Sequence, residues 1–328
     1  MLEVLLVAIL GVHLLAVDLA MAGPLVAVGL QWRARRCGDA GDSRLARRLA
    51  AWSIAAAALG IALGLAALLL APRAESEAYR RALAAIPAAQ WWFVAIELAF
   101  YFLCMAAYVG PWRRFERWPL CHALPAIFAG TDLMYHFPPL FAVVSSLSMQ
   151  PNELAAPLDH PHYLRILLEG QTLAMVLHHW LAGVSVAAMA VVVLNMANAR
   201  AAAGLATSKW AARIALVATL LQLPVGLGVL LAMPAAVQNP LMGDDWIATL
   251  LFGLSVVLAL GLMHHLTMLA LGDMRRGAAI RTTCIMAATI ILMTATLHRA
   301  RHRAQTPPRA AFRASKEIAA PLFLTPPT

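Results

Sequence analysis

The sequence predicts an all-α integral membrane protein, a bundle of about eight transmembrane helices with its N-terminus outside. Composition, apolar segments and the placement of arginine predict this class. Of the 328 residues, 62% are hydrophobic and 12% are charged, whereas soluble domains average about 45–50% apolar and about 25% charged residues. The mean hydropathy is +0.75. A soluble enzyme is therefore excluded.

Eight apolar segments are each long enough to cross the hydrocarbon core, which takes about 20 residues. The first lacks a basic n-region and a small-residue cleavage site, so we expect an uncleaved helix. Pro24 should kink this helix, and Gly23 should let a neighbour approach closely. Phe137-Pro138-Pro139 is expected to break the fourth segment. In order, the predicted segments are 3–30, 50–71, 90–110, 121–148, 166–196, 211–233, 246–272 and 280–297.

The arginine distribution orients these segments. The connections after segments one, three, five and seven hold 15 Lys and Arg residues, and those after two, four and six hold four. The positive-inside rule therefore places the odd connections in the cytoplasm and the N-terminus outside. Such clustering also accounts for the net charge of +9 without nucleic acid as a partner.

The sequence predicts one membrane domain over residues 1–298 and a basic, Pro-containing, disordered tail over 299–328. An even number of segments places the tail outside, but its six positive residues contradict that placement. Either the last segment does not cross fully, or the tail is bound elsewhere. Both alternatives remain open on the sequence.

Ionisable side chains within these apolar segments are the main functional indication. Such groups are costly at membrane depth and usually mark ligands, relays or substrates. Imidazoles on several helices suggest a cofactor held between them, and we interpret it as haem b, one or two per chain. The four cysteines lie singly, which excludes covalent haem attachment and cysteine-ligated clusters. The ionisable residues are His13, Asp18, Glu97, Asp132, His136, Glu169, His178, His179, His264 and His265.

Depth within the segments narrows the ligand choice. His13 and His178 differ by only about 3 Å in predicted depth, at 1.5 Å of rise per residue, and His136 also lies at mid-membrane. The pair His264–His265 lies deeper, toward the cytoplasm, which would suit a second cofactor.

Other interpretations of the same residues remain open. Neighbours such as His178 and His179 point about 100° apart on a helix, so at most one of each adjacent pair should ligate a given iron. His136 is equally compatible with iron ligation and with a hydrogen bond to another helix. Asp18 could orient an imidazole, carry protons, or be protonated and paired across helices.

Four stretches of the chain resemble subunit I of the cytochrome bd-type quinol oxidases. They occur in the family's order over about residues 1–235. The stretches are His13–Pro24, Arg48–Leu70, Ala95–Gly110 and Met175–Gly183. The resemblance implies that His13 and His178 are haem ligands and that Glu97 belongs to a proton path near the haem. His122 also falls where the family has a histidine.

The chain departs from the family at three places. Met105 stands where the family has a second carboxylate, the connection after segment six lacks the Gly-Arg-x-Pro-Trp quinol signature, and the chain has one segment fewer. We therefore expect a reduced relative that carries electrons in a bacterial cytoplasmic membrane. Its expected partners are membrane lipid, a second membrane subunit or a second copy, and a quinol or cytochrome. Quinol-driven oxygen reduction by this chain alone is not expected.

Two other function classes fit the same composition. A haem-free transporter or proton channel would use the intramembrane His, Asp and Glu residues for its substrate, although no internal repeat is evident. A structural membrane subunit would keep close helix packing but tolerate loss of His13 and His178.

Overall fold

The computed structural model describes residues 1–110, 112, 118–150, 158–197 and 201–304. Within these ranges the regular structure is helical, with a π-helical turn at Pro240–Asp244. The α-helices are α1 (Leu2–Cys37), α2 (Ala40–Ala74), α3 (Glu77–Ala84), α4 (Ala88–Val109), α5 (Pro119–Met149), α6 (His160–Leu168), α7 (Gly170–Leu194), α8 (Ala202–Ala232), α9 (Ala235–Asn239), α10 (Trp246–Leu271) and α11 (Arg276–Ala304).

Eight of these helices are long and apolar enough to cross a membrane, which confirms the all-α bundle. They are α1, α2, α4, α5, α7, α8, α10 and α11. Several extend beyond the predicted apolar segments, because arginine favours helix and its long side chain carries the charge out of the hydrocarbon. The fifth segment begins later than predicted, since Glu169 separates α6 from α7.

Small residues bring α1 and α2 into close contact, as predicted for Gly23. A Cβ at Gly23 would overlap Ser53 Oγ, and one at Gly60 would lie 2.9 Å from Val17 Cγ1. The predicted break at Pro138 and Pro139 is wrong, since α5 is continuous from Pro119 to Met149. Transmembrane helices tolerate internal proline where the surrounding structure satisfies the freed carbonyls.

Helix α1 is the centre of the bundle. It packs against α2, α5, α7 and α11, while α7 packs on α8, and α10 packs on both α8 and α11. On α7, the position of a Cβ at Gly183 lies 3.3 Å from the carbonyl oxygen of Asp18. This contact sets the register between α1 and α7, two helices that cross the membrane in the same direction.

The last helix ends at the face of the bundle that carries the N-terminus, hereafter the N-terminal face. His302 Nε2 lies 3.8 Å from Glu3 Oε1, and His298 Nδ1 lies 3.6 Å from Glu75 Oε1. Helix α11 therefore crosses the bundle fully. This excludes the alternative that the eighth segment does not cross fully. It continues to Ala304, six residues past the predicted domain boundary at 298. The rest of the predicted tail, 305–328, lies outside the described residues.

Candidate haem and proton sites

His13 is half-buried on α1 and faces α2. Its Nδ1 lies 2.8 Å from the carbonyl oxygen of Gly60. A carbonyl can only accept, so Nδ1 carries the proton and Nε2 keeps its lone pair. In the described part of the chain no residue hydrogen-bonds that Nε2. The ring lies on Gly64, where a Cβ would be 3.0 Å from His13 Cε1. A carbonyl that orients one ring nitrogen while the other stays available is typical of metal-binding histidines.

His178 is half-buried on α7 and faces α8. A Cβ at Gly226 would lie 3.4 Å from its Cε1, so the ring also rests on a glycine. Its Nδ1 is buried and faces the backbone of Gln222 without a hydrogen bond of normal geometry. Buried polar atoms in folded proteins are nearly always paired. The neighbour of Nδ1 is the backbone of Gln222, so, as in His13, Nε2 is the nitrogen left for a cofactor.

The register of α1 and α7 places His13 and His178 at similar depth. Each lies five residues before the contact between Asp18 and Gly183, so their depths agree within about one helical turn, or about 5 Å. Their rings nevertheless face different helices, α2 and α8. Of the four side chains His13, Glu97, His136 and His178, the described contacts bring together only Glu97 and His136.

The other predicted haem candidates lie apart from these two. His179 is half-buried beside His178 and makes no hydrogen bond within the described chain. His264 and His265 contact each other on α10 with ring centroids 5.6 Å apart, His264 being exposed and His265 half-buried. Neither reaches His13 or His178 through any described contact.

Asp18 is buried, and it forms neither a hydrogen bond nor an ion pair with another side chain in the described ranges. It does not orient His13, because Gly60 does. As a carboxylate at membrane depth it is compatible with the proton-carrying role that the sequence allowed.

Glu97, Asp132 and His136 form a cluster between α4 and α5. His136 Nε2 lies 2.8 Å from Glu97 Oε1, and His136 Nδ1 lies 3.6 Å from Asp132 Oδ1. One imidazole thus stands between two carboxylates. The sequence left two roles open for His136, iron ligation or a hydrogen bond to another helix. The described contacts show an interaction with another helix, through Glu97 on α4. Across the described residues no group of three His, Cys, Asp or Glu side chains is arranged to hold a metal ion.

His122 belongs to a buried network that sequence reasoning missed. Its Nε2 donates to the carbonyl oxygen of Tyr108 at 2.9 Å, and its Nδ1 accepts from Gln31 Nε2 at 2.6 Å. The Tyr108 hydroxyl donates to Gln31 Oε1 at 3.3 Å. Both nitrogens of His122 are therefore engaged, which leaves none for iron. Gln31, a polar amide at the end of an apolar helix, was the available sequence indication.

Comparison with known proteins rests on structure. No protein-family model matches the sequence, and no curated protein matches it significantly. A solved structure of the bd oxidase from Geobacillus thermodenitrificans matches with a TM-score of 0.71 over 93% of this chain and 87% of that chain. The fold is bd-oxidase-like. The two sequences are 15% identical, so the likeness concerns the fold and assigns no role to any residue.

Proposed function

We propose that this chain is a membrane b-type cytochrome that carries electrons within the respiratory chain of a bacterial cytoplasmic membrane, as a reduced relative of bd oxidase subunit I. The observation that carries the proposal is the hydrogen bond from His13 to Gly60, which leaves His13 Nε2 available at mid-membrane. The bd-oxidase-like fold supports the same assignment.

His13 and His178 would each hold one haem b iron at separate sites, since their rings face different helices. When bound, haem supplies a one-electron redox centre whose behaviour depends on its axial ligands. The protein's own contribution is to fix the imidazoles: Gly60 holds the His13 ring through its carbonyl, and Gly64 and Gly226 leave room for the two rings. His179, His264 and His265 are the remaining imidazoles that the sequence offered as ligands, while His136 contacts Glu97 and Asp132 instead.

Glu97 and Asp18 are the residues we assign to proton transfer. Both are buried in membrane-spanning helices where an ionised carboxylate is expensive. A carboxylate there tends to hold a proton until nearby charge changes. The electron partner would be a quinol or a cytochrome, and a second membrane subunit or a second copy would complete the assembly within the lipid.

Haem content of the purified protein tests the proposal. We expect a reduced-minus-oxidised b-type spectrum, and pyridine haemochrome quantification should give two haems per chain, one for each of the two histidines. His13→Ala and His178→Ala should each remove only its own component, and the double variant should remove both. His162→Ala, on the short helix α6 that is not among the membrane-spanning helices, is the control. Wild-type protein that contains no haem after haem-replete expression would contradict the proposal.

A haem-free proton channel is the second candidate function. The cluster of Glu97, His136 and Asp132 favours it, because such a group can hold and pass protons without a cofactor. The same purified protein in vesicles decides between the two: proton flux without haem supports the channel.

A further inference from the structure

The three side chains of the α4–α5 cluster are arranged to share protons. His136 presents Nε2 to Glu97 and Nδ1 to Asp132. Asp132 Oδ2 and His136 Nδ1 are buried without a hydrogen-bond partner. An imidazole can take a proton at one nitrogen and release one from the other. The geometry therefore links the two carboxylates through a single group able to transfer protons.

Charge balance determines how many protons the cluster holds. No Lys or Arg of the described chain forms an ion pair with it, so two ionised carboxylates and a neutral imidazole would leave two negative charges in an apolar bundle. Uncompensated charge there is strongly disfavoured. Neutrality requires two protons, either one on His136 and one on a carboxylate, or one on each carboxylate. The other titratable groups within electrostatic reach are Cys104, Tyr135 and Tyr163.

A cavity of about 280 Å³ lies where the start of α4, the second half of α5 and the start of α6 meet, on the side of the N-terminal face. Its lining includes Gln90, Leu140, Asp159, His160 and Tyr163. Leu140 lies one helical turn beyond His136 on α5, in the direction of that face. Gln90 lies about two turns before Glu97 on α4. Tyr163 is also within electrostatic reach of Glu97. Polar groups thus lead from the N-terminal face toward the cluster.

Toward the opposite face, the side chains that follow Glu97 on the same face of α4 are closely packed. Tyr101 and Met105, one and two turns beyond Glu97, are completely buried. The Tyr101 hydroxyl donates to the carbonyl oxygen of Ala20 at 3.1 Å, which ties it to α1. These contacts favour exchange with the N-terminal face.

We infer that Glu97, His136 and Asp132 form a proton-holding site that exchanges protons with the N-terminal face, predicted to be outside, through the cavity at Gln90 and Tyr163. His136 is the group that passes protons between the carboxylates. The inference rests on the proposed function only for any coupling to haem, because holding and exchanging protons requires these side chains alone.

Infrared spectroscopy of the purified full-length protein tests the site. Wild type should show a carbonyl band of protonated carboxylic acid that shifts when H₂O is replaced by D₂O. Glu97→Gln and Asp132→Asn should each reduce that band, and the double variant should leave only the part that Asp18→Asn removes. His136→Gln should increase it, since neutrality then requires both acids to be protonated. Asp244→Asn, which removes an exposed carboxylate, should leave it unchanged. Absence of the band in wild type, or a band of undiminished intensity in the double variant, overturns the inference.

Sidedness is tested in vesicles with the N-terminal face outward. A change of external pH, made with an impermeant buffer, should alter the band before the internal pH changes. A response that follows only the internal pH overturns exchange with the N-terminal face. The proposed function fails separately, by absence of the haem spectrum, and that result leaves both infrared measurements valid.

Discussion

Arg299 Nη2 on the last transmembrane helix lies 2.9 Å from Oδ2 of Asp245, the residue that caps the N-terminus of α10. Arg303 also pairs with Asp245. Asp245 Oδ1 accepts from the backbone N–H of Ala248 at 2.9 Å. One buried carboxylate thus joins the ends of two spanning helices and compensates the positive charge at the end of α11.

Acid should destabilise this junction. Burial by itself would raise the pKa of Asp245, but the hydrogen bond from Ala248 and the interactions with Arg299 and Arg303 lower it to about 2. An unfolded aspartate titrates near about 3.9. A lowered folded pKa contributes stability above the unfolded value that is lost as pH falls. We expect the Tm of the detergent-solubilised protein to drop between about pH 4 and about pH 2.

Two substitutions of Asp245 separate the stability that its charge contributes from the stability that its N-cap hydrogen bond contributes. Asp245→Asn keeps a good N-cap and loses only ion pairs with partly exposed arginines, so we expect a loss of up to about 1 kcal/mol at neutral pH. Asp245→Ala also loses the cap and should cost about 1 kcal/mol more. Thermal unfolding at pH 7 measures both, with Asp244→Asn as the control. Equal stability of the two variants would contradict the capping role.

The topology predicts on which side the end of α11 is accessible. Cysteine introduced as Ala304→Cys should react with an impermeant thiol reagent applied to the N-terminal face of vesicles. Exposed Cys37, at the end of α1, should react only from the opposite face and serves as the internal control. Labelling of both cysteines from one side would show that α11 does not cross the membrane.

His122 should behave as a structural histidine. Both ring nitrogens are hydrogen-bonded, and removing the ring leaves the amide of Gln31 and the carbonyl of Tyr108 unpaired in a buried setting. We expect His122→Ala to lower the free energy of unfolding by about 1–3 kcal/mol without removing a haem component. Haemochrome quantification beside thermal unfolding measures both. A lost haem component with unchanged stability would make His122 a ligand instead.

The glycines beneath the two imidazoles should differ in their tolerance of alanine. A methyl group at Gly64 would lie 3.0 Å from His13 Cε1, inside the favourable carbon contact distance of about 3.5–4.0 Å, so the ring must move. At Gly226 the corresponding distance to His178 is 3.4 Å, which requires little adjustment. Gly64→Ala should therefore shift or remove the His13-dependent spectral component, and Gly226→Ala should preserve the His178-dependent one. Loss of the His178-dependent component in Gly226→Ala, with the His13-dependent component intact in Gly64→Ala, would disprove the placement of the two rings on these glycines.

Glu97 should couple proton uptake to electron arrival. Added negative charge in a low-dielectric interior favours protonation of a nearby carboxylate. We expect the haem midpoint potential to fall with pH by up to about 59 mV per unit, the value for one proton per electron. Glu97→Gln should flatten this slope in a redox titration from about pH 6 to about pH 8. A wild-type potential that does not vary with pH over this range would leave Glu97 without the coupling role.

The sequence alone determined the fold class and the eight crossings. Apolar length and arginine placement are local properties of each segment, and lipid permits only segments that satisfy their own backbone hydrogen bonds. The sequence also placed His13 and His178 at similar depth, because predicted depth depends only on counting residues from the helix ends. Gly23 was likewise recognised as a point of close approach from its local setting beside Pro24.

Tertiary structure alone decided which side chains meet. The direction in which His13 or His178 points depends on how the helices are rotated and packed, so the sequence could not show that the two rings face α2 and α8. The pairing of His136 with Glu97 and the engagement of both His122 nitrogens also join distant positions. The crossing of α11 was ambiguous for a related reason: arginine counts treat Arg299 and Arg303 as unpaired charge, whereas the fold brings Asp245 to them.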